Sequence, residues 1–114
     1  MYRFPKTIFA LKNSVDQQLD HVRSECSEMQ QAASLDQQLE EAIDVLHSVE
    51  TLLQILEKEV NAGRLPEKYH PARLLCQVLR KNAARRYYDF DQSNNWSAVK
   101  TLHRHLQNAP AINT

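Results

Sequence analysis

Apolar residues in the first third of the chain recur every three or four positions. The series runs from Ile8 to Ala33 through Leu11, Val15, Leu19, Val22, Cys26 and Met29. This spacing places one apolar stripe along one side of an α-helix. Pro5 suits the first turn of such a helix, where a missing backbone N–H costs nothing. The pattern therefore predicts a helix over residues 5–32.

A second apolar stripe follows a helix-capping signal. Ser34 precedes Gln37 by three residues, the spacing at which two side chains cap the start of a helix. The stripe then includes Leu35, Leu39, Ala42, Leu46, Val49, Leu53, Leu56 and Val60. Gly63 stands just past its end and suits the left-handed conformation that closes many helices. The pattern predicts a second helix over residues 35–61.

Two arrangements of these residues compete. Residues 6–62 contain neither proline nor glycine, so one continuous helix over residues 5–61 is the alternative to a hairpin. The stripes before and after Ser34 are out of phase when each residue advances by about 100°. This change of phase favours a hairpin of two antiparallel helices.

Beyond Gly63 the helical pattern is interrupted and then resumes. Pro66 and Pro71 break it, and Pro71 can open a third helix that ends near Tyr88. A short fourth helix is predicted from the apolar spacing of Trp96, Val99, Leu102 and Leu106. We therefore expect an all-α fold, a small antiparallel helical bundle with two long helices in a hairpin and two shorter C-terminal helices. Residues 1–108 form its single domain, and residues 109–114 form a flexible tail.

Composition narrows the class of protein. A chain of 114 residues fits one domain, and its single glycine argues against strand-rich folds and phosphate-binding glycine loops. No window reaches 18 continuous apolar residues, so we expect no membrane span. Cys26 and Cys76 occur without a secretion signal, which favours reduced thiols and a cytoplasmic location.

The charges are divided between the two halves of the chain. Residues 1–61 hold 5 Lys/Arg against 11 Asp/Glu, and residues 62–114 hold 9 Lys/Arg against 3 Asp/Glu. The basic half contains the stretch RKNAARRYYDF, residues 80–90. We expect the binding surface in this half to consist of Arg73, Arg80, Lys81, Arg85, Arg86, Tyr88, Lys100 and Arg104.

Two partners would suit that surface. Cations interleaved with tyrosines could bind phosphates and stack on bases of DNA or RNA. The neutral overall charge favours an acidic protein surface instead, because nucleic-acid-binding domains are commonly basic as a whole. We therefore expect a non-enzymatic binding protein acting through protein–protein contacts, as an adaptor, inhibitor or regulatory subunit. The long stripes are also compatible with a homodimer, and nucleic-acid binding is the alternative.

Acidic and histidine residues also crowd the two long helices: His21, Glu25 and Glu28, then Glu40, Glu41, Asp44 and His47. Counting about 100° per residue places His21, Glu25 and Glu28 on one side of their helix, away from its apolar stripe. The same count places Glu40, Asp44 and His47 roughly opposite the stripe of the second helix. We therefore expect solvated surfaces and no metal, cofactor or catalytic residue. The segment LEEAID, residues 39–44, resembles the Glu-Glu-x-x-Glu signature of all-helical nucleotide pyrophosphohydrolases, with Asp44 as the third acid. This resemblance implies a third interpretation, a metal-dependent nucleotide hydrolase using Glu40, Glu41 and Asp44.

Overall fold

The computed structural model describes residues 2–88, which form helices and no strand. The helices are α1 (Phe9–Lys12), α2 (Val15–Gln31), α3 (Leu35–Asn61) and α4 (Pro71–Ala84), with a 3₁₀ turn at Glu67–Tyr69. The predicted all-α class is therefore confirmed. The chain divides between Leu65 and Pro66 into two compact units. The predicted fourth helix and the tail at residues 109–114 lie outside the described residues.

The hairpin is the correct arrangement of the two long helices. After α2 ends, Ala32 has extended backbone, and the Ser34 hydroxyl accepts a hydrogen bond from the Gln37 N–H to start α3. The facing residues run in opposite directions, since Gln18 contacts Ser48 whereas Glu28 lies near Glu41. The two helices are therefore antiparallel, and the alternative of one continuous helix is wrong.

The predicted start of the first long helix at residue 5 is wrong. A second capping box sits at its true start, because the Ser14 hydroxyl accepts from the Gln17 N–H and the Gln17 side chain accepts from the Ser14 N–H. These two bonds satisfy N–H groups that a helix start leaves without partners. Only the four-residue α1 is helical before this point. The spacing of Ser14 and Gln17 repeats the Ser34 signal and was visible in the sequence.

Polar groups fill part of the space between α2 and α3. Gln18 is fully buried, its amide nitrogen donates to the Ser48 carbonyl at 2.9 Å, and its amide oxygen accepts from Asn13 at 2.8 Å. Within the described part of Met1–Leu65, four polar or charged residues are buried, against three apolar ones (Ala10, Ile55 and Val60). The apolar core of this unit is small, so hydrogen bonds contribute to the specificity of its packing.

The N-terminal segment lies along the second half of α3. The Glu50 carboxylate accepts hydrogen bonds from the backbone N–H groups of Arg3 and Phe4, each at 3.1 Å. The Tyr2 hydroxyl donates to Glu57 at 2.7 Å, and partial burial together with this bond raises the pKa of that hydroxyl. These contacts pair backbone donors with a buried carboxylate that would otherwise be costly to bury.

The second unit is built around α4. Pro71 opens this helix as predicted, and the His70 ring accepts a hydrogen bond from the Ala72 N–H at 3.1 Å. The 3₁₀ turn packs against α4. The helix ends at Ala84, earlier than the predicted end near Tyr88, and Arg86 has a left-handed backbone with φ of 59°. Among residues 2–88, none of the helices combines the length and apolar character that crossing a membrane requires.

Gln18→Ala should destabilise the hairpin. The substitution leaves the Ser48 carbonyl and the Asn13 amide without their buried partner, which costs about 1–3 kcal/mol. Urea denaturation followed by circular dichroism measures the loss. Gln38→Ala, at an exposed position of α3, should stay within about 0.5 kcal/mol of the wild type. Equal stability of the two variants would show that the buried amide contributes nothing.

Candidate functional site

The first half of α3 carries an exposed row of large apolar residues, called here the apolar stripe. Its exposed fractions are 68% for Leu35, 58% for Leu39, 54% for Ile43 and 39% for Leu46. Spacings of four, four and three residues place these side chains on one side of the helix. The row extends about 17 Å at 1.5 Å per residue. A contiguous apolar row of this kind is typical of a surface that binds another molecule.

The apolar stripe points away from α2. At about 100° per residue it lies roughly opposite Ser48 and Glu41, which face α2. The sequence pattern places Leu35, Leu39 and Leu46 in one stripe, and the structure exposes all three. The side of α3 that meets α2 carries Ser48 and the buried Ile55, whereas the four apolar residues of the stripe lie on the outside.

Charge borders the apolar stripe along one edge. Asp36 and Glu40 are exposed and lie within about 65–105° of its centre on that edge. The opposite edge carries the uncharged Gln38 and Ala42. The exposed first half of α3 therefore combines an apolar centre with one negative border.

Three carboxylates meet where α2 faces α3, and they are called here the carboxylate cluster. Oxygens of Glu25 and Glu28 on α2 and of Glu41 on α3 all lie within 4.8 Å of one another. The Glu25 side chain is 18% exposed and lies 3.4 Å from the His21 ring. One oxygen of Glu41 is buried and makes no hydrogen bond. The expectation of a solvated surface is therefore wrong for Glu25, and Glu41 is half-buried beside it.

The electrostatics of the carboxylate cluster favour protonation. Burial raises the pKa of Glu25, the Glu28 charge raises it further, and His21 opposes the change. Burial also raises the pKa of Glu41, with added repulsion from Glu28, Asp44 and Glu40. Like charges held close together make the ionised form less favourable. The cluster is therefore a point of repulsion between the two long helices at neutral pH.

Within residues 2–88, the carboxylate cluster is the one group of three or more acidic, histidine or cysteine side chains close enough to share a metal ion. Carboxylate oxygens are ligands that magnesium and calcium prefer. Of the three acids in the hydrolase interpretation, Glu41 joins this cluster, whereas Glu40 and Asp44 are exposed. Asp44 instead lines a cavity of about 140 Å³ with Glu25, His21 and His47. The hydrolase interpretation stays a prediction.

The predicted basic surface falls in three places. Arg73, Arg80 and Lys81 lie on α4, Arg85, Arg86 and Tyr88 follow its last residue, and Lys100 and Arg104 lie outside the described residues. Lys81, Arg85 and Arg86 are exposed, whereas Arg73, Arg80 and Tyr88 are half-buried. Sequence reasoning passed over Tyr87, whose exposed ring lies 5.8 Å from the Arg85 guanidinium.

Comparison with protein-family models, with curated proteins and with solved structures finds no match to this chain.

Glu41→Gln should stabilise the hairpin at neutral pH and weaken its pH dependence. A raised pKa in the folded chain means that the folded state binds protons more tightly than the unfolded state. The stability that this carboxyl contributes is therefore fully present below its unfolded pKa and is lost as pH rises through the raised folded pKa, so removing the carboxylate removes this loss. Thermal denaturation at several pH values measures the difference from the wild type.

Glu59→Gln is the matched control, because its electrostatics have the opposite sign. Hydrogen bonds from Arg64 at 2.6 and 3.0 Å hold the pKa of Glu59 below its usual value. This carboxylate stabilises the fold above its unfolded pKa, and its contribution is lost as pH falls through the folded value. Its substitution should lower stability at neutral pH. If both variants shifted stability in the same direction, the repulsion assigned to the carboxylate cluster would be wrong.

Proposed function

We propose that this protein is a non-enzymatic binding protein that acts through protein–protein contacts, as an adaptor, inhibitor or regulatory subunit. The observation that carries the proposal is the exposure of the apolar stripe, from 68% at Leu35 to 39% at Leu46. Covering apolar surface with a partner removes it from water, and this burial stabilises the complex by about 25 cal/mol per Å². The stripe is therefore the contact surface.

The shape of this surface suits recognition by a helix or an extended segment. It is a convex row of about three helical turns. A partner segment with apolar residues at helical spacing can lie along such a row, as in recognition by amphipathic helices. The charged residues at its edge then select among apolar partners, because they favour one sign of charge.

A capture experiment tests the proposal. Immobilised wild-type protein is incubated with nuclease-treated extract of the organism that encodes it, alongside the double variant Leu39→Ser with Ile43→Ser. The wild type should retain a protein that the variant retains at least tenfold less, since polar side chains remove the apolar contact. Circular dichroism checks that both proteins are helical.

The pair Leu75→Ser with Val78→Ser provides the control. These residues lie on α4 and are 45% and 43% exposed. The control therefore removes a similar amount of exposed apolar surface as Leu39→Ser with Ile43→Ser, and it lowers helix propensity in the same way. It should retain the captured protein like the wild type. Loss of capture by this control alone, or capture that neither variant changes, would contradict the assignment of the apolar stripe as the contact surface.

Nucleic-acid binding is the second candidate function. It is favoured by the exposed cations Lys81, Arg85 and Arg86 beside the exposed ring of Tyr87. Cations can neutralise phosphates, and an aromatic ring can stack on a base. This candidate uses the second unit of the chain, separate from the apolar stripe.

Anisotropy of a labelled DNA duplex, titrated between about 50 and 300 mM salt, tests this candidate. Binding to phosphates requires log affinity to fall linearly with log salt, with a slope of about −0.9 per phosphate contacted. Lys81→Glu with Arg85→Glu should make that slope shallower by about 1.8, because two phosphate contacts are lost. The charge-matched control Lys6→Glu with Lys12→Glu should keep it. Absence of binding at the lowest salt would exclude the candidate for duplex DNA.

A further inference from the structure

We infer that the partner segment bound by the apolar stripe is a basic amphipathic helix, with apolar residues against Leu39 and Ile43 and Lys or Arg along the edge formed by Asp36 and Glu40. This inference rests on the proposed function and specifies the chemistry of the partner. It depends on three features of the first unit: the charge beside the stripe, the charge of the whole unit, and the way α3 already binds the N-terminal segment.

The negative edge determines the sign of the partner's charge. Asp36 and Glu40 are exposed and border the stripe on one side only. A partner helix lying along the stripe brings its own flanking side chains within reach of these carboxylates. Lysine or arginine there forms charge-assisted hydrogen bonds, whereas glutamate or aspartate meets like charge.

The same charges disfavour the stripe of a second copy as the occupant. The whole chain has a formal net charge of zero, but the unit Met1–Leu65 holds 6 Lys/Arg against 11 Asp/Glu, so two copies of this unit repel each other when one stripe meets the other. Antiparallel pairing of two α3 helices through the stripe would also place both negative edges on the same side of the interface. A basic partner is attracted both by the negative edge of the stripe and by the net negative charge of the whole unit, and this attraction increases the association rate.

The second half of α3 is already covered by a segment that contains aromatic and basic residues. The N-terminal segment carries Arg3 and Lys6, its backbone donates to Glu50, and its Phe4 ring stacks on His47 with centroids 4.3 Å apart. His47 directly follows Leu46, the last residue of the apolar stripe. The covered and uncovered halves of α3 are therefore continuous, and an aromatic, basic segment occupies the covered half.

Binding of two synthetic peptides tests the inference. Both are labelled amphipathic helices of about 18 residues with the same leucine positions, one flanked by lysine and the other by glutamate. Fluorescence anisotropy against the full chain at low salt should show the lysine peptide binding at least tenfold more tightly. Leu39→Ser with Ile43→Ser should abolish that binding.

Charge variants separate the negative edge from general attraction. Asp36→Asn with Glu40→Gln should weaken the lysine peptide several-fold and reduce the dependence of its affinity on salt. Asp16→Asn with Asp20→Asn is the matched control, because Asp16 and Asp36 both occupy the first turn of a helix and the change in net charge is equal. The control should bind like the wild type.

Three results would overturn the inference. Equal affinity of the two peptides would show that charge plays no part, and equal weakening by both charge variants would show that the negative edge is not specific. Light scattering that shows a dimer, dissociated by Leu39→Ser with Ile43→Ser, would identify a second copy as the occupant. Capture of a protein from extract through the stripe, with neither peptide bound, would refute the basic helix and leave the proposed function intact.

Discussion

The buried amide of Gln18 fixes how the two long helices meet. Its nitrogen and oxygen both need partners because an unsatisfied buried amide costs about 1–3 kcal/mol, and Ser48 and Asn13 supply them. The bond to the Ser48 carbonyl joins α2 to α3 and favours one rotation and one register of the two helices, whereas the bond from Asn13 is local and orients the amide. In that rotation Ser48 and the buried Ile55 face α2. Leu39 and Ile43 lie on the other side of α3 and are exposed.

The same register makes the two ends of the hairpin different. At one end, Ile55 and Val60 are buried and the N-terminal segment covers α3 through Glu50. At the other end the register places Glu25 and Glu28 opposite Glu41, where like charges repel. The apolar stripe lies along this second end. The part of α3 with the weakest internal packing is therefore also the part with apolar surface available for a partner, and local stability is expected to be lower where fewer apolar contacts are buried.

The helices could be predicted from the sequence, whereas their orientation could not. Periodicity located α3 to the residue, and the capping signal at Ser34 separated it from α2. Periodicity identifies which residues share a side of a helix, but it does not identify the neighbour that covers that side. A lone glutamine such as Gln18 resembles a surface residue in any sequence pattern, since its burial depends on an acceptor 30 positions away. The carboxylate cluster was missed for the same reason, because Glu25 and Glu41 meet only after the register is fixed.

The rotation of α3 also decides whether its apolar stripe is buried when the chain folds or when a partner binds. Had Leu35, Leu39 and Ile43 packed against α2, their transfer from water would stabilise the folded chain. Because they remain exposed, that transfer would occur in the proposed complex and would contribute to affinity instead of to folding. In that complex Asp36 and Glu40 would add little affinity as exposed charges, but they would disfavour acidic helices and increase the association rate of basic ones. Under the proposal, apolar area and edge charge thus have separate roles on one helix, the first holding the partner and the second selecting it.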